Sequence, residues 1–447
     1  MTIKTLHRPR HAAVAGLLSV ALVAAACGSS STSKSSSSTP SSGGGSSAPG
    51  VTANSILLGS TQPLTGPAAP GYSEIAPASN ALFQAVNAAG GIYGRKIVYQ
   101  YVDDQYNPSV TATKTRQLVL QNNIFADFNP LGTPTQLTVQ PFLNSQGVPQ
   151  LFVASGCDCW SSSKYPWSSG WQPPYTDEGK ILGTYIKDNL AGKKVGYLYQ
   201  DDEFGLDGVK GLDAVLPSST VVSRQTYSVT TLTAGMANQI AALKAAGAQV
   251  VALYTIPAAT ALTLLAAAQI GYSPTWVVSS VGSDPPTLAG LLTSFSKGKA
   301  PASLLNGMVT NIYLPPESDN SNPWIQAFKA IQAKYDSNNK NWDGNVEYGM
   351  AVAYTMVDLL KAAGKNLTRQ SLLQALDTKA GSFTGPWLVP LSYSGSDHYG
   401  IQGSQIAVNQ GGLNLVPTGP VYQTTVSGPV TTVTNYTPAA PPANLAG

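Results

Sequence analysis

The sequence predicts an α/β protein built from two similar lobes, and three observations lead to this prediction. Residues 56–108 read as strand, loop, helix and strand, which together form a βαβ unit. Short apolar strands then alternate with helices through most of the chain, a pattern typical of parallel sheets covered by helices on both faces. The series is too long for one sheet, and 447 residues that are 43% hydrophobic can fill the cores of two domains.

The first unit, residues 56–108, shows the hydrophobic spacing of strands and that of a helix. An apolar strand at residues 56–59 leads through a loop rich in Pro, Gly and Thr to a helix over residues 78–86, where apolar residues recur at helical spacing. Glycines in the turn at residues 87–94 end this helix, and residues 96–102 alternate like a strand.

The rest of the chain continues this alternation. Further helices are predicted over residues 109–121, 137–145, 177–190, 206–216, 234–246, 258–270, 286–295, 322–335, 345–363 and 371–376. Further strands are predicted over residues 124–128, 150–154, 194–199, 221–227, 250–255, 276–279, 307–313 and 405–408. Residues 156–174 read as a long loop, and the Pro-rich residues 437–447 as a disordered tail.

Three motifs stand out in the first half of the chain: PLTGPAAPGY at residues 63–72, NAAGGIYGRKI at residues 87–97 and DDQYNP at residues 103–108. Together they resemble the Leu/Ile/Val-binding family of periplasmic binding proteins, the ABC-transporter receptors for amino acids and amides. Weaker similarity covers nearly all the chain after Val51, through GVPQLFVASG (147–156), YQDDEFGLDG (199–208) and GNVEYGMAVAY (344–354).

The resemblance implies a type I periplasmic-binding-protein fold, in which two Rossmann-like lobes are joined by a three-strand hinge. By motif position, the chain is expected to cross between the lobes near residues 171–175, 311–314 and 385–388. The expected first lobe comprises residues 52–172 and 314–386, and the second comprises residues 173–313 and 387–436.

The N-terminus has the features of a lipoprotein signal peptide over residues 1–27. Basic residues precede a short apolar run, and Ala24-Ala25-Ala26-Cys27 resembles a lipobox, so we expect lipidation of Cys27 and anchoring to the outer face of the cytoplasmic membrane. An ordinary secretory signal is the alternative. The apolar run is shorter than a transmembrane helix usually requires. Residues 28–51 are rich in Ser and Gly and read as a flexible tether.

The charge balance and the cysteines narrow the classes of function further. Cleavage before Cys27 removes three of the 25 basic residues, so that the basic residues of the mature chain equal its 22 acidic residues in number. The mature chain is therefore near neutral and gives no sign of nucleic-acid binding. Cys157 and Cys159 favour a disulfide in an exported protein, with free thiols as the alternative. A metal site needs more ligands than Cys157, Cys159 and His398, the one histidine after the signal peptide. We therefore expect neither a metal nor a cofactor.

Ligands of open α/β sheets bind beyond the carboxyl ends of the strands, which places a site between the two lobes. By resemblance, the loops at Gly132 and Thr133 and at Ala154, Ser155 and Gly156 bind a carboxylate or similar polar group. Backbone N–H groups at a helix N-terminus can bind an anion without a basic side chain. The alternative is that Thr133 only caps a helix.

The aromatic candidates are Phe204 and Tyr254, which resemble wall residues of the second lobe, and Tyr72 and Trp160; all four can instead be packing residues. Ser280 stands where amino-acid receptors of this family usually have an acidic residue for the ligand ammonium. Either Asp284 or Asp202 substitutes for that residue, or the ligand has no ammonium group.

These features predict a monomeric solute receptor that captures a small polar ligand and delivers it to an ABC permease. A sensor of the same fold with a membrane partner is the alternative. An α/β hydrolase is less favoured, because the chain lacks a nucleophile elbow, a Walker loop and a dinucleotide fingerprint. The tandem Asp103-Asp104 and Asp201-Asp202 pairs are explained by helix capping and loop solvation, so we do not expect an enzyme.

Overall fold

Two sheets organise the chain in the computed structural model, which describes residues 48–445. The predicted signal peptide with Cys27, and the predicted tether as far as residue 47, lie outside the described residues.

The first sheet has five parallel strands in the order β2-β1-β3-β4-β5. Its strands are β1 (Ser55–Gln62), β2 (Lys96–Asp103), β3 (Ala126–Phe128), β4 (Gln150–Val153) and β5 (Ser168–Gly170). The helices between them are α1 (Ala69–Tyr72), α2 (Ile75–Ala88), α3 (Pro108–Leu120) and α4 (Thr133–Ser145). Strand β4 is buried along its whole length, as expected for a parallel strand with helices on both faces.

The second sheet has eight strands in the order β13-β12-β11-β10-β9-β8-β6-β7. Its strands are β6 (Val195–Gln200), β7 (Val221–Tyr227), β8 (Val250–Tyr254), β9 (Thr275–Val278), β10 (Val309–Ile312), β11 (Gly403–Gln410), β12 (Asn414–Gln423) and β13 (Thr431–Thr432). The helices are α5 (Tyr175–Asn189), α6 (Glu203–Asp213), α7 (Ala237–Ala245), α8 (Pro257–Gln269) and α9 (Pro285–Phe295). Strands β6–β10 are parallel, whereas β11, β12 and β13 extend the sheet in antiparallel fashion.

Three further helices return to the first sheet: α10 (Pro323–Tyr335), α11 (Gly344–Ala363) and α12 (Arg369–Lys379). Both α10 and α11 pack against α2, and α12 packs against α11. We therefore define the first lobe as the first sheet with α1–α4 and α10–α12, and the second lobe as the second sheet with α5–α9. Short 3-10 helices cover Ser218–Thr220, Val229–Ala234, Ser280–Gly282, Ala302–Leu305 and Ala380–Ser382.

The chain passes between the two sheets after β5, after β10 and before β11. These crossing segments are joined to one another, because Leu388 N donates to Tyr313 O at 3.0 Å and Ile401 N donates to Trp171 O at 2.9 Å. The Trp171 ring is fully buried and meets the ring of Tyr313 edge-on, with the ring centroids 6.2 Å apart. The two sheets and the three crossings match the predicted fold class.

The structure corrects the predicted ends of the folded region. Residues 48–51 belong to the fold rather than to a tether, because Val51 is buried and Leu57 N donates to Gly50 O at 2.8 Å. The tail was predicted to be disordered, yet Trp324 Nε1 donates to Ala439 O at 2.7 Å and the Leu445 side chain is buried in the core. Backbone carbonyl groups and single apolar side chains make these contacts, and composition does not reveal either, so both ends were misassigned.

Within residues 48–445, none of the helices combines the length and the apolar character needed to cross a membrane. The same residues contain no group of three or more His, Cys, Asp or Glu side chains arranged to hold a metal ion.

Candidate functional site

A cavity lies between the two lobes, at the carboxyl ends of the strands of both sheets. Its empty volume is about 970 Å³, part of which is open to solvent. The first lobe contributes residues that follow β2, β3 and β4, and the second lobe contributes residues that follow β8 and β9. The crossing segments contribute a third wall, through residues such as Gln172, Tyr313 and Leu314.

Six of the ten predicted ligand-binding residues line this cavity: Tyr72, Gly132, Thr133, Ala154, Phe204 and Ser280. The other four do not line it. Ser155 and Gly156 lie behind the wall, where Ser155 Oγ is 2.7 Å from Thr133 Oγ1 and Gly156 O accepts a hydrogen bond from Tyr175 N at 2.6 Å. These two residues therefore support the wall without reaching the cavity.

Tyr254 and Trp160 also differ from their predicted places. The Tyr254 ring is buried behind Phe204, with the two ring centroids 5.8 Å apart. Trp160 is fully buried in a separate small core with Val153 and Cys157. Both side chains are packing residues because their large apolar surfaces are covered by their own lobes.

The loop from β3 into α4 forms the polar end of the first lobe. Gly132 occupies the N-cap position of α4 with φ 107°, and no side chain caps the helix. A Cβ at Gly132 would lie 2.4 Å from Thr135 Oγ1 and 2.6 Å from the Tyr106 ring, so this close approach requires glycine. Thr133 is the first residue inside the helix, so the alternative in which Thr133 caps α4 is wrong.

Aromatic side chains make up much of the wall. The rings of Tyr175 and Phe204 pack with their centroids 4.7 Å apart, and Tyr72, Tyr106, Tyr313 and Tyr348 also line the cavity. Of these six residues, sequence reasoning missed Tyr106, Tyr175, Tyr313 and Tyr348. Tyr106 lies in the DDQYNP motif, which was a usable signal, whereas the other three are brought to the cavity by the crossings and by α11.

The tandem aspartates have structural partners. Asp103 Oδ1 accepts hydrogen bonds from Leu64 N and Thr65 N at 3.0 and 3.1 Å, and so fixes the loop after β1. Asp104 Oδ2 accepts from Thr111 Oγ1 at 2.7 Å. Asp202 caps α6 by accepting from Phe204 N at 3.0 Å. Loop and cap roles therefore account for these carboxylates.

Ser280 is held by a buried carboxylate of the second lobe. Ser280 N donates to Glu178 Oε1 at 2.7 Å, and Ser279 Oγ donates to Glu178 Oε2 at 2.8 Å. Burial raises the pKa of Glu178, although these hydrogen bonds oppose that increase. The Glu178 carboxylate is therefore committed to this loop.

Three carboxylates line the cavity: Asp284, Glu317 and Glu347. Asp284 accepts hydrogen bonds from Gly344 N at 2.8 Å and from Thr287 N at 2.9 Å. Burial, followed by the nearby Asp284 carboxylate, raises the pKa of Glu317 to about 7. Burial and the neighbouring carboxylates of Glu317 and Asp284 raise the pKa of Glu347. The lining residues that the structure describes include neither Lys, Arg nor His.

The family model described as periplasmic binding protein matches residues 55–412. The chain belongs to the periplasmic binding protein family. This result confirms the resemblance drawn from the sequence motifs. The family and its structural neighbours are binding and receptor proteins.

Curated relatives of this periplasmic binding protein include two from Brucella. A Leu/Ile/Val-binding protein homolog 3 of Brucella melitensis is 22% identical over 44% of this chain and 53% of the relative. A Leu/Ile/Val-binding protein homolog 7 of Brucella abortus is 24% identical over 51% of this chain and 59% of the relative. The matched region thus spans little more than half the length of these relatives.

Two solved structures show the same fold at low sequence identity. A branched chain amino acid ABC transporter protein from Thermus thermophilus with bound valine is 19% identical, covers 83% of this chain and 97% of its own, and has a TM-score of 0.70. A fatty acid ABC transporter substrate-binding protein from Thermomonospora curvata is 22% identical, covers 85% of this chain and 95% of its own, and has a TM-score of 0.73.

The two lobes of this periplasmic binding protein touch beside the cavity. Tyr72 Oη donates to Val281 O at 2.8 Å, and the Asp284 carboxylate accepts from Gly344 N across the same gap. Further along, Asp158 Oδ2 lies 2.7 Å from Lys210 Nζ. The structure therefore has the lobes closed on each other.

Cys157 and Cys159 are joined by a disulfide in the loop that carries Asp158. His398 lies outside the cavity, with Nδ1 2.9 Å from Ser168 O and Nε2 3.0 Å from Asp377 Oδ1. Its ring holds neighbouring segments together and does not line the cavity.

Proposed function

We propose that this periplasmic binding protein is the extracytoplasmic receptor of an ABC importer and captures a small polar ligand by closure of its lobes. The candidate ligands are amino acids, amides and small carboxylates. The observation that carries the proposal is a cavity lined by both lobes and by the crossing segments, with the Tyr72–Val281 hydrogen bond beside it. The names of the Brucella relatives and of the valine-bound Thermus structure support the same reading.

In this proposal, closure of the lobes couples ligand binding to recognition by the permease. A ligand that contacts both lobes stabilises the closed form by the contacts that it makes only there. The permease then recognises the closed form, in which the two lobe surfaces take one fixed arrangement. An affinity of about 1 μM corresponds to about −8 kcal/mol, which a few hydrogen bonds and aromatic burial can supply.

The proposal includes an anchor and a domain arrangement. A lipid on Cys27 attaches the monomeric receptor to the outer face of the cytoplasmic membrane, and residues 28–47 give it reach. The first lobe is assigned to residues 52–172 and 314–386, and the second to residues 173–313 and 387–436. Labelling with radioactive palmitate tests the anchor, because Cys27→Ser must abolish incorporation.

Native mass spectrometry of the gently purified protein, before and after unfolding and refolding, tests the receptor function. A small mass that is lost on refolding identifies the ligand class. Small-angle X-ray scattering then measures whether adding that compound back reduces the radius of gyration, as lobe closure requires. A protein that retains no small molecule and shows no compaction with amino acids, amides or carboxylates contradicts the proposal.

A further inference from the structure

We propose that the ligand carries a protonated primary or secondary amine, which Glu317 and Glu347 hold against the aromatic wall of the cavity. This inference rests on the receptor function proposed above and specifies its ligand class. It places the amine at the wall formed by α11 and the segment after β10, away from Ser280.

The two glutamates are buried and incompletely paired. Glu317 is 5% exposed and Glu347 is 2% exposed, yet both line the cavity. The Oε1 atom of each has no hydrogen-bond partner among the residues that the structure describes. An unpaired buried carboxylate oxygen is costly, and a donor that enters the cavity with the ligand can supply the missing hydrogen bond.

The surrounding charges favour a cation. Asp284 adds a third carboxylate to the lining, and Asp343, which is 5% exposed, lies beside it at the start of α11. Lys329 is a cation near both glutamates, but it does not line the cavity. Its Nζ donates to Asn320 Oδ1 at 2.5 Å and lies 5.1 Å from the centre of the Trp342 ring. An anionic ligand would therefore meet no basic side chain among the lining residues that the structure describes, whereas a bound ammonium would favour the ionised form of these carboxyls.

The aromatic residues add to the same preference. Tyr313 and Tyr348 line the same cavity as the two carboxylates. Ring faces attract cations by about 0.5–2 kcal/mol in general. A quaternary ammonium would use the rings but could not donate to Glu317 Oε1 or Glu347 Oε1, so an amine with N–H groups fits better.

The start of α4 offers a further polar contact in the same cavity. Gly132 and Thr133, at the start of α4, can accept a second polar group of the same ligand without a basic side chain. The proposal therefore includes both simple amines and molecules with an amine at one end and a polar group at the other.

The test compares amines with acids of the same skeleton by titration calorimetry. The probes are 3-methylbutylamine with 4-methylpentanoate, and 2-phenylethylamine with 3-phenylpropanoate, each at up to about 1 mM. We expect at least one amine to bind and neither acid to bind. Trimethylation of the amine that binds should weaken its affinity at least tenfold.

Matched variants locate the amine. Glu347→Gln and Glu317→Gln keep the side-chain shape but remove the charge, and each should weaken amine binding more than tenfold. Asp188→Asn removes an exposed carboxylate from α5 and should leave the affinity unchanged. Melting temperatures of the variants, measured without ligand, separate a binding effect from misfolding, because removing an unpaired buried charge should not lower them.

The outcomes separate the two proposals. An acid that binds and compacts the protein in scattering, while amines do not, overturns the amine inference and leaves the receptor function standing. Amine binding that is unaffected in both Gln variants also overturns the inference. If no probe binds or compacts the protein and no ligand is retained on purification, both proposals fall.

Discussion

The Tyr72 hydroxyl donates a hydrogen bond to the Val281 carbonyl oxygen at 2.8 Å, and so links the first lobe to the second beside the cavity. Tyr72 ends the short helix α1, and Val281 lies in the loop after β9, so the bond exists only when the lobes are together. It is therefore a contact that belongs to the closed form alone.

Replacement of this hydroxyl should weaken ligand binding through closure. We expect Tyr72→Phe to lower affinity by up to about tenfold, because one hydrogen bond contributes about 0.5–1.5 kcal/mol net. Titration calorimetry with the ligand retained on purification measures the change. Tyr72 also lines the cavity, so the scattering profile of the saturated variant is needed to show a larger open fraction.

Tyr272→Phe provides the control. Tyr272 Oη donates to Ala248 O at 2.7 Å, which is the same kind of bond made within the second lobe. Its loss should affect stability and leave affinity unchanged. Equal losses of affinity in the two variants would mean that the interlobe bond has no special part in closure.

A second prediction concerns the aromatic wall. Phe204→Ala removes a buried ring that packs against Tyr175 with the centroids 4.7 Å apart. We expect a loss of about 3–5 kcal/mol in the free energy of unfolding, together with weaker ligand binding because the ring lines the cavity. Denaturant unfolding and calorimetry measure the two effects separately.

Phe328→Ala is the control for Phe204→Ala. Phe328 is fully buried in α10 of the first lobe and does not line the cavity. It should cost similar stability and leave affinity intact. If binding is also unchanged in Phe204→Ala, then Phe204 is a packing residue and not a wall residue.

The sequence predicted the fold where hydrophobic periodicity was strong. Strand β7 has the predicted bounds, and β8, which is buried throughout, lies within its predicted segment. Strand β12 was missed because it is largely exposed and contains Pro417, Gly419 and Pro420, which argue against a strand. It forms because antiparallel pairing with β11 supplies the hydrogen bonds that its own sequence does not favour.

The site was predictable only in part, for a related reason. Gly132, Thr133 and Ala154 follow strands of the first sheet, so the carboxyl-end rule finds them. Glu317 and Glu347 reach the cavity because the chain crosses back to the first lobe after β10. In the sequence they read as an ordinary loop carboxylate and a helix carboxylate, and nothing local indicates burial.

A third prediction concerns the loop that begins α4. Gly132→Ala introduces a Cβ where φ is 107° and where Thr135 Oγ1 lies 2.4 Å away. The loop has to shift, so we expect ligand affinity to fall more than tenfold and stability to fall by about 1–2 kcal/mol or more. Calorimetry and thermal unfolding measure these quantities.

Gly192→Ala separates backbone strain from the clash. Gly192 also has positive φ, at 79°, but a Cβ there would meet no heavy atom within 4 Å. This variant should lose stability and keep full affinity. Retention of full affinity by Gly132→Ala as well would remove the α4 loop from the binding site.

A fourth prediction is that the protein loses stability as the pH rises from about 5 to about 8. Burial raises the pKa of Asp177 to about 8, with the nearby Lys180 opposing the increase, and burial raises the pKa of Asp207 to about 7. A carboxyl whose pKa is higher in the folded state binds more protons there than in the unfolded state. Its stabilisation is complete below the unfolded pKa of about 4 and is lost as the pH rises through the folded value.

Asp177→Asn tests whether Asp177 causes this loss of stability with rising pH. Asp177 is fully buried, and its two carboxylate oxygens have no hydrogen-bond partner among the described residues. Because one pKa unit corresponds to about 1.4 kcal/mol, the variant should lose at least about 1 kcal/mol less stability than the wild type between pH 5 and pH 8. Urea unfolding at the two pH values gives the difference, and Asp188→Asn, which alters an exposed carboxylate, should keep the wild-type slope. A wild-type slope in Asp177→Asn would assign the pH dependence to the other buried carboxylates, such as Asp207 and Glu317.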